Sequence, residues 1–210
     1  MKKIISLLLV VALVAALACS CGKAKAAEVI EIDLTTEEYA FGVDKNQPEL
    51  LTKTNEFIAK IMEDGTFDDI CNRYFDDEDG NEKAVTSAKQ GDRANQLWVA
   101  TNAEFAPWEY KEGTQFYGID MEIAQLIANE LGLELVIDDM DFDMVVNAVG
   151  KQGVDIAMSG ITITAERMNV INFSIPYYTE AIVVVCKEDD TSLDSVGTVV
   201  DLLNVICTAN

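Results

Sequence analysis

The sequence predicts an α/β fold, a parallel-rich sheet flanked by helices. Three observations predict it. Strand-like and helix-like segments alternate from Leu97 to Lys187, the pattern of parallel strands joined by right-handed crossovers. The longest helical segment keeps one apolar face, with Ile123, Leu126, Ile127 and Leu131 at helical spacing and Gly132 as its stop. Asn102, Phe105, Phe142, Ser159 and Thr162 all fall where strands end. Ligands of such sheets bind beyond the carboxyl ends of the strands.

Taken in order, residues 1–21 read as an export leader. Lys2 and Lys3 precede an apolar run from Ile4 to Ala18, too short and too early for a membrane span. It ends in Ala16-Leu-Ala-Cys19-Ser-Cys21-Gly22, which resembles a bacterial lipobox. Cys19 has Ala at −1 and −3, and Cys21 has Ser and Ala, so either is a candidate for lipidation. Plain cleavage near Ala26-Ala27 is the alternative. Residues 22–27 form a short tether.

Val29 to Leu34 alternates polar and apolar residues, a half-exposed strand pattern. Glu38 to Val43 is a second strand candidate. Asn46 and Pro48 suit a helix start, and Leu50, Leu51, Thr54, Phe57, Ile58 and Ile61 follow helical spacing up to Gly65. Phe67, Ile70, Cys71 and Tyr74 continue as a second short helix. Residues 76–96 carry many acidic residues and few apolar ones, and read as an acidic linker. Beyond it, 97–101, 133–137, 154–158 and 181–187 read as strands, and 120–131, 143–149 and 164–170 as helices.

Composition excludes several classes. The chain has 15 Lys and Arg against 37 Asp and Glu, a net charge of −22, so nucleic acid is not an expected partner. It has no histidine. That removes histidine-based triads and metal sites. Beyond the leader, Cys71, Cys186 and Cys207 stand far apart with no paired spacing, so no zinc site is expected. No catalytic residue, metal or cofactor is assigned, and the protein is not expected to be an enzyme.

One cluster carries chemistry. In Ser159-Gly-Ile-Thr-Ile-Thr-Ala-Glu-Arg167 a small-residue turn follows an apolar strand and leads into a helix. A helix N-terminus offers free backbone N–H groups, Thr162 adds a hydroxyl, and Arg167 adds a planar fork that can grip both oxygens of a carboxylate.

The surrounding segments occur in a recognisable order. Phe105-Ala-Pro-Trp-Glu-Tyr110, Gly118-Ile-Asp-Met-Glu-Ile-Ala124, Val154-Asp-Ile-Ala-Met158, the Ser-Gly-x-Thr turn, and Asn172-Phe-Ser-Ile-Pro-Tyr-Tyr178 together resemble the polar amino-acid-binding lipoproteins of ABC importers, the bacterial extracellular solute-binding proteins of family 3. The resemblance implies a periplasmic-binding-protein type II-like lobe. Residues 97–187 resemble the N-terminal part of that family's first lobe. Residues 28–75, with Pro48-Glu-Leu, Glu63-Asp-Gly-Thr-Phe67 and Asn72-Arg-Tyr-Phe75, resemble the C-terminal part of the same lobe, here placed first. The chain thus looks permuted. The tail 188–210 is unassigned, so most of a second lobe is missing from the expectation.

The resemblance also places a ligand site. Asn102 matches a position that often carries Asp, Phe105 an aromatic that stacks on the ligand side chain, and Phe142 an opposing wall. Ser159 and Gly160 would offer backbone oxygen and N–H, and Thr162 and Arg167 would hold the α-carboxylate. The implied function is the amino-acid-binding component of an ABC importer. The implied partners are an amino acid, a transporter permease and, through a palmitate-type anchor, the outer face of the cytoplasmic membrane or the periplasm. A remnant or sensor-like module without tight binding is the alternative, and which amino acid would bind stays open. Two packing expectations follow. Residues 39–75 should pack on 97–170, with Val43 in a sheet with Val99 and Ile156, and strands 29–34 and 181–187 should pair.

Overall fold

The computed structural model describes residues 27–75, 81–151, 153–187 and 196–208. The leader with Cys19 and Cys21 lies outside them, as does part of the acidic segment. In chain order the elements are β1 (Ala27–Tyr39), β2 (Gly42–Val43), α1 (Pro48–Glu63), α2 (Thr66–Phe75), β3 (Gln96–Thr101), β4 (Glu104–Phe105), β5 (Glu109–Glu112), β6 (Gln115–Tyr117), α3 (Ile119–Leu131), β7 (Glu134–Asp139), α4 (Phe142–Ala148), β8 (Ile156–Ala157), α5 (Ala165–Met168), β9 (Asn172–Phe173), β10 (Tyr178–Lys187) and α6 (Val199–Thr208). The described residues divide into two compact units, Glu37–Glu180 and a second formed by the described residues before Glu37 and after Glu180.

In the larger unit five strands form one sheet in the order β7-β3-β8-β2-β9. β3 runs parallel to β7 and to β8, with Val99 paired to Ile137 on one side and Ile156 on the other. β2 is antiparallel to both β8 and β9, with Val43 opposite Ile156. The fold is α/β with a mixed sheet rather than a parallel-rich one: two of its four pairings are parallel and two antiparallel, because β2 alone opposes the common direction. Strand alternation sends Leu97, Val99 and Ile156 to one face, against Phe57, Ile58, Ile61, Ile70, Ile123 and Ile127 of α1, α2 and α3. Ala100 and Ala157 face the other way, against Val145 and Ala148 of α4 and Ile161 and Ile171. Each fully buried Ile or Phe contributes about 1.5–3 kcal/mol. The 39–75 segment and the 97–170 segment therefore share one core, with Phe57 and Ile61 buried.

The expected strand over Glu38–Val43 is broken. Tyr39 bridges Thr162, and Ala40 N–H donates to Ile161 O at 3.1 Å. Phe41 N–H then donates to the Ser174 hydroxyl at 2.9 Å, which interrupts the ladder before β2. The strand expected over 154–158 shortens to Ile156–Ala157. Before it, the Asp155 carboxylate accepts from Trp98 N–H at 2.8 Å, Gln47 Nε2 at 2.8 Å and Arg93 Nη2 at 3.1 Å. The helix expected over 164–170 is the single turn α5. Gln47 rather than Asn46 precedes α1.

The described part of the acidic segment is not a free linker. Val85 is buried and exchanges two backbone hydrogen bonds with Phe116, at 2.7 and 2.9 Å. Ala88 N–H donates to Leu135 O at 2.7 Å, and Ile137 N–H donates to the Ser87 hydroxyl at 2.9 Å. Val85 thereby extends the edge of β6, and Ser87 and Ala88 cover part of the open edge of β7, whose unpaired backbone groups need partners. Gln96, counted with the linker by sequence, is the first residue of β3.

The three-stranded meander β4-β5-β6 belongs to the same unit. Cys71 is half-buried on α2, and burial pushes its thiol up to about 11. In the second unit β1 and β10 pair as a two-stranded sheet, as expected for 29–34 and 181–187. The tail read as unassigned carries α6, capped by the Thr198 hydroxyl, which accepts Asp201 N–H at 3.2 Å. Among the described residues no helix is long and apolar enough to cross a membrane.

Candidate functional site

Three strand ends converge above the carboxyl edge of the large sheet. β3 leads into Asn102 and the β4 loop, β8 into Ser159–Thr164, and β7 into α4 at Phe142. Between them lies a cleft of about 620 Å³. Asn102, Phe105, Phe142, Ser159, Gly160, Thr162 and Arg167 all line it, together with Glu37, Tyr39, Glu104, Glu109 and Thr164. A second hollow of about 630 Å³ lies where α1 begins and α3 ends, over Leu50, Leu131 and Leu133. Its lining has no such convergence of charged groups, and Lys53 and Glu49 are its only ionic side chains.

Arg167 is built into the wall from three directions. Its backbone N–H donates to the Thr164 hydroxyl at 3.2 Å, its Nη1 donates to Thr162 O at 2.8 Å, and its guanidinium lies 5.4 Å from the Phe142 ring centroid. Among the described residues it has no ion-pair partner, and it is the only cation in the cleft lining. Phe105 and Phe142 are 45% and 40% exposed, so their rings are open walls rather than core. Trp108 is buried and meets Tyr39 edge-on at 5.3 Å, a structural role.

Two expectations are corrected in detail. The helix that was to receive a carboxylate is one turn long, and aligned peptide dipoles need more length to add up. Gly160 N–H is not open to a ligand, because it donates to Asp120 Oδ2 at 2.9 Å. Gly160 instead serves by lacking a side chain. Its φ is +48°, and a Cβ there would lie 3.1 Å from the Phe105 ring.

Hydrogen bonds tie the polar floor together, although Glu109 Oε2 is buried with no hydrogen-bond partner among the described residues. Ser159 Oγ donates to Glu109 Oε1 at 2.7 Å and accepts Asn102 N–H at 3.1 Å. Asn102 Nδ2 donates to Met140 O at 3.1 Å. Thr162 Oγ1 donates to Glu37 Oε2 at 2.7 Å. Glu109 and Asp120 are buried. Burial raises both carboxyls above the usual range; the Asp120 charge raises Glu109 further, while the Ser159 hydrogen bond opposes this. Burial and nearby carboxylates also raise the Tyr39 and Tyr177 phenols, which stay neutral.

Sequence reasoning missed Glu37, Glu104 and Glu109 as lining residues. Glu109 lay within the Phe105–Tyr110 segment, but nothing in one dimension marks it as buried. Glu37 comes from a segment 125 positions away from its partner Thr162. Among the described residues no group of three or more His, Cys, Asp or Glu could hold a metal ion.

The sequence is 40% identical over 93 residues to the arginine-binding extracellular protein ArtP of Bacillus subtilis (strain 168), covering 44% of this chain and 36% of that protein. It is 38% identical over 82 residues to the cyclohexadienyl dehydratase of Pseudomonas aeruginosa, covering 39% of this chain and 31% of the enzyme. The chain thus spans about a third of the length of these relatives. Among solved structures, the arginine-bound form of domain 1 from TmArgBP is 31% identical, covering 54% of this chain and 93% of that one, with a TM-score of 0.39. The sequence profile of the bacterial extracellular solute-binding proteins, family 3, matches residues 97–206, more than half of the chain. The protein belongs to the bacterial extracellular solute-binding proteins, family 3.

Proposed function

We propose that the protein is the amino-acid-binding component of an ABC importer, with Arg167 holding the ligand α-carboxylate. One observation carries this reading: a single guanidinium, with no ion-pair partner among the described residues, shares one cleft with three carboxyl groups, Glu37, Glu104 and Glu109. That distribution of charge suits a molecule with a carboxylate at one end and positive charge elsewhere. The excess of acid favours an amino acid with a cationic side chain, and relatives named for arginine support the same class. Phe105 and Phe142 line the same cleft and would stack on the ligand's side chain.

The protein acts in this reading as a binder rather than an enzyme. Its partners are a transporter permease and the membrane surface, reached through a lipid on Cys19 or Cys21. Calorimetric titration with the common amino acids tests it, with ligand-observed NMR for weak complexes. Saturable binding is expected, strongest for cationic amino acids and reduced at least tenfold by Arg167→Ala. If no amino acid binds, the reading is wrong.

A further inference from the structure

The cleft floor carries a carboxyl pair that a carboxylate grip does not use. Glu109, on β5, is 1% exposed. Its Oε1 accepts the Ser159 hydroxyl at 2.7 Å, while its Oε2 is buried with no hydrogen-bond partner among the described residues, and the residue lines the cleft. Behind it Asp120, at the start of α3, is fully buried and meets only donors. Gly160 N–H donates to its Oδ2 at 2.9 Å, and Tyr177 O–H donates to its Oδ1 at 2.7 Å. Adjacent residues of one turn, Ser159 and Gly160, hold the two carboxyls.

Among the described residues the groups facing the pair supply no buried cation. Tyr39 and Tyr177 present neutral phenols, Cys71 on α2 a neutral thiol, and Glu180 and Glu37 further acids beside Tyr39. The only positive charge lining the cleft is Arg167. Burial raises both carboxyls, and the Asp120 charge raises Glu109 further. Two donors stabilise Asp120 as the anion, whereas Glu109 has an unpartnered buried oxygen, so Glu109 is the better seat for a proton.

We propose that Glu109 takes the cationic end of the ligand side chain and gives up a proton to do so, so that cation uptake and proton release are one exchange. This rests on the amino-acid reading above and adds its linkage to pH. The O–H bond of the Glu109 carboxyl breaks, the proton passes through the open cleft to buffer, and the ligand cation takes its place against the resulting carboxylate. The net charge of floor plus side chain stays constant. A neutral side chain of the same shape meets a protonated Glu109 and releases nothing.

L-Arginine and its neutral isostere L-citrulline distinguish these cases. Calorimetry in buffers of different ionisation enthalpy counts the protons. Arginine should release close to one proton near neutral pH and bind up to about tenfold tighter per pH unit as pH rises. Citrulline should release none and show no pH slope. Infrared spectroscopy of the wild-type protein should show a protonated-carboxyl band that arginine removes and citrulline leaves. In Glu109→Gln that band, the proton release and the pH slope of arginine binding should all be absent. Arginine binding with no proton released, or a band that persists when arginine saturates the site, overturns the exchange and leaves amino-acid binding standing. Failure of both ligands to bind overturns the amino-acid reading and the exchange with it.

Discussion

Gly160 N–H donates to Asp120 Oδ2 at 2.9 Å, tying the turn after β8 to the first turn of α3 across 40 positions of chain. This bond holds the turn in a left-handed conformation, with φ at +48°, and lets the Phe105 ring rest against bare backbone. A methyl group at Gly160 meets both constraints. Gly160→Ala should destabilise the protein by about 1–2 kcal/mol through the left-handed backbone alone. It should also displace Phe105 and weaken ligand binding. Urea unfolding and calorimetry measure the two effects, and wild-type values in both would contradict this account of the turn.

Arg167 is held by backbone and ring contacts rather than by an ion pair, so its removal should affect binding more than folding. A hydrogen bond to a charged partner contributes about 1.5–3 kcal/mol, so Arg167→Ala should lower amino-acid affinity roughly 10- to 150-fold. Stability should change by less than about 1 kcal/mol. Arg167→Lys keeps the charge but loses the fork, and should recover only part of the affinity. Full recovery by lysine would show that charge alone is read.

Stability should respond to pH through Glu109 with a sign that can be worked out. Burial raises its folded-state value above the usual 4.5. From about pH 4.5 upward the folded protein retains a proton that the unfolded chain has lost, so stability falls as pH rises, by about 1.4 kcal/mol per pH unit for one proton. The contribution is complete below about pH 4.5. It is lost as pH rises towards the folded-state value. Glu109→Gln removes this slope and should gain on the wild type between about pH 5 and pH 8. Parallel urea midpoints for the two proteins over that range would count against it.

Arg73 on α2 grips both oxygens of Glu122 on α3 at 3.1 Å, and Tyr74 O–H donates to the same carboxylate at 2.9 Å. The Glu122 side chain is only 6% exposed. Arg73→Ala leaves that charge poorly compensated and should cost about 3 kcal/mol. Lys60 and Glu130 also link α1 to α3, but both are more than half exposed. Lys60→Ala should cost under about 1 kcal/mol. Equal effects would mean that burial does not separate the two pairs as argued.

The leader expectation is checked at the mature N-terminus. Mass spectrometry of protein from membranes should find a lipid-modified Cys19 or Cys21 as the first residue. One acyl chain holds only marginally, so more than one is expected. An unmodified start beyond Cys21 would end the lipoprotein proposal.

Local pattern determined the four strands and three helices read between Leu97 and Lys187, though not β4, β5, β6 or β9, and the core faces of α1 and α3. Together with the family resemblance it named the seven residues later found around one cleft. Apolar periodicity and strand-end chemistry are properties of neighbouring residues, and they survive in one dimension. Tertiary structure alone decided which partners those residues take. It broke the 38–43 strand through a serine 133 positions away and cut the 154–158 strand through the Asp155 side chain. It turned part of the acidic segment into an edge cover for β6 and β7. It also spent Gly160 N–H on Asp120 and buried Glu109 beside that acid. Hydrogen bonds between distant segments, and the removal of a carboxyl from water, depend on where the chain returns in space. No spacing of residue types records that.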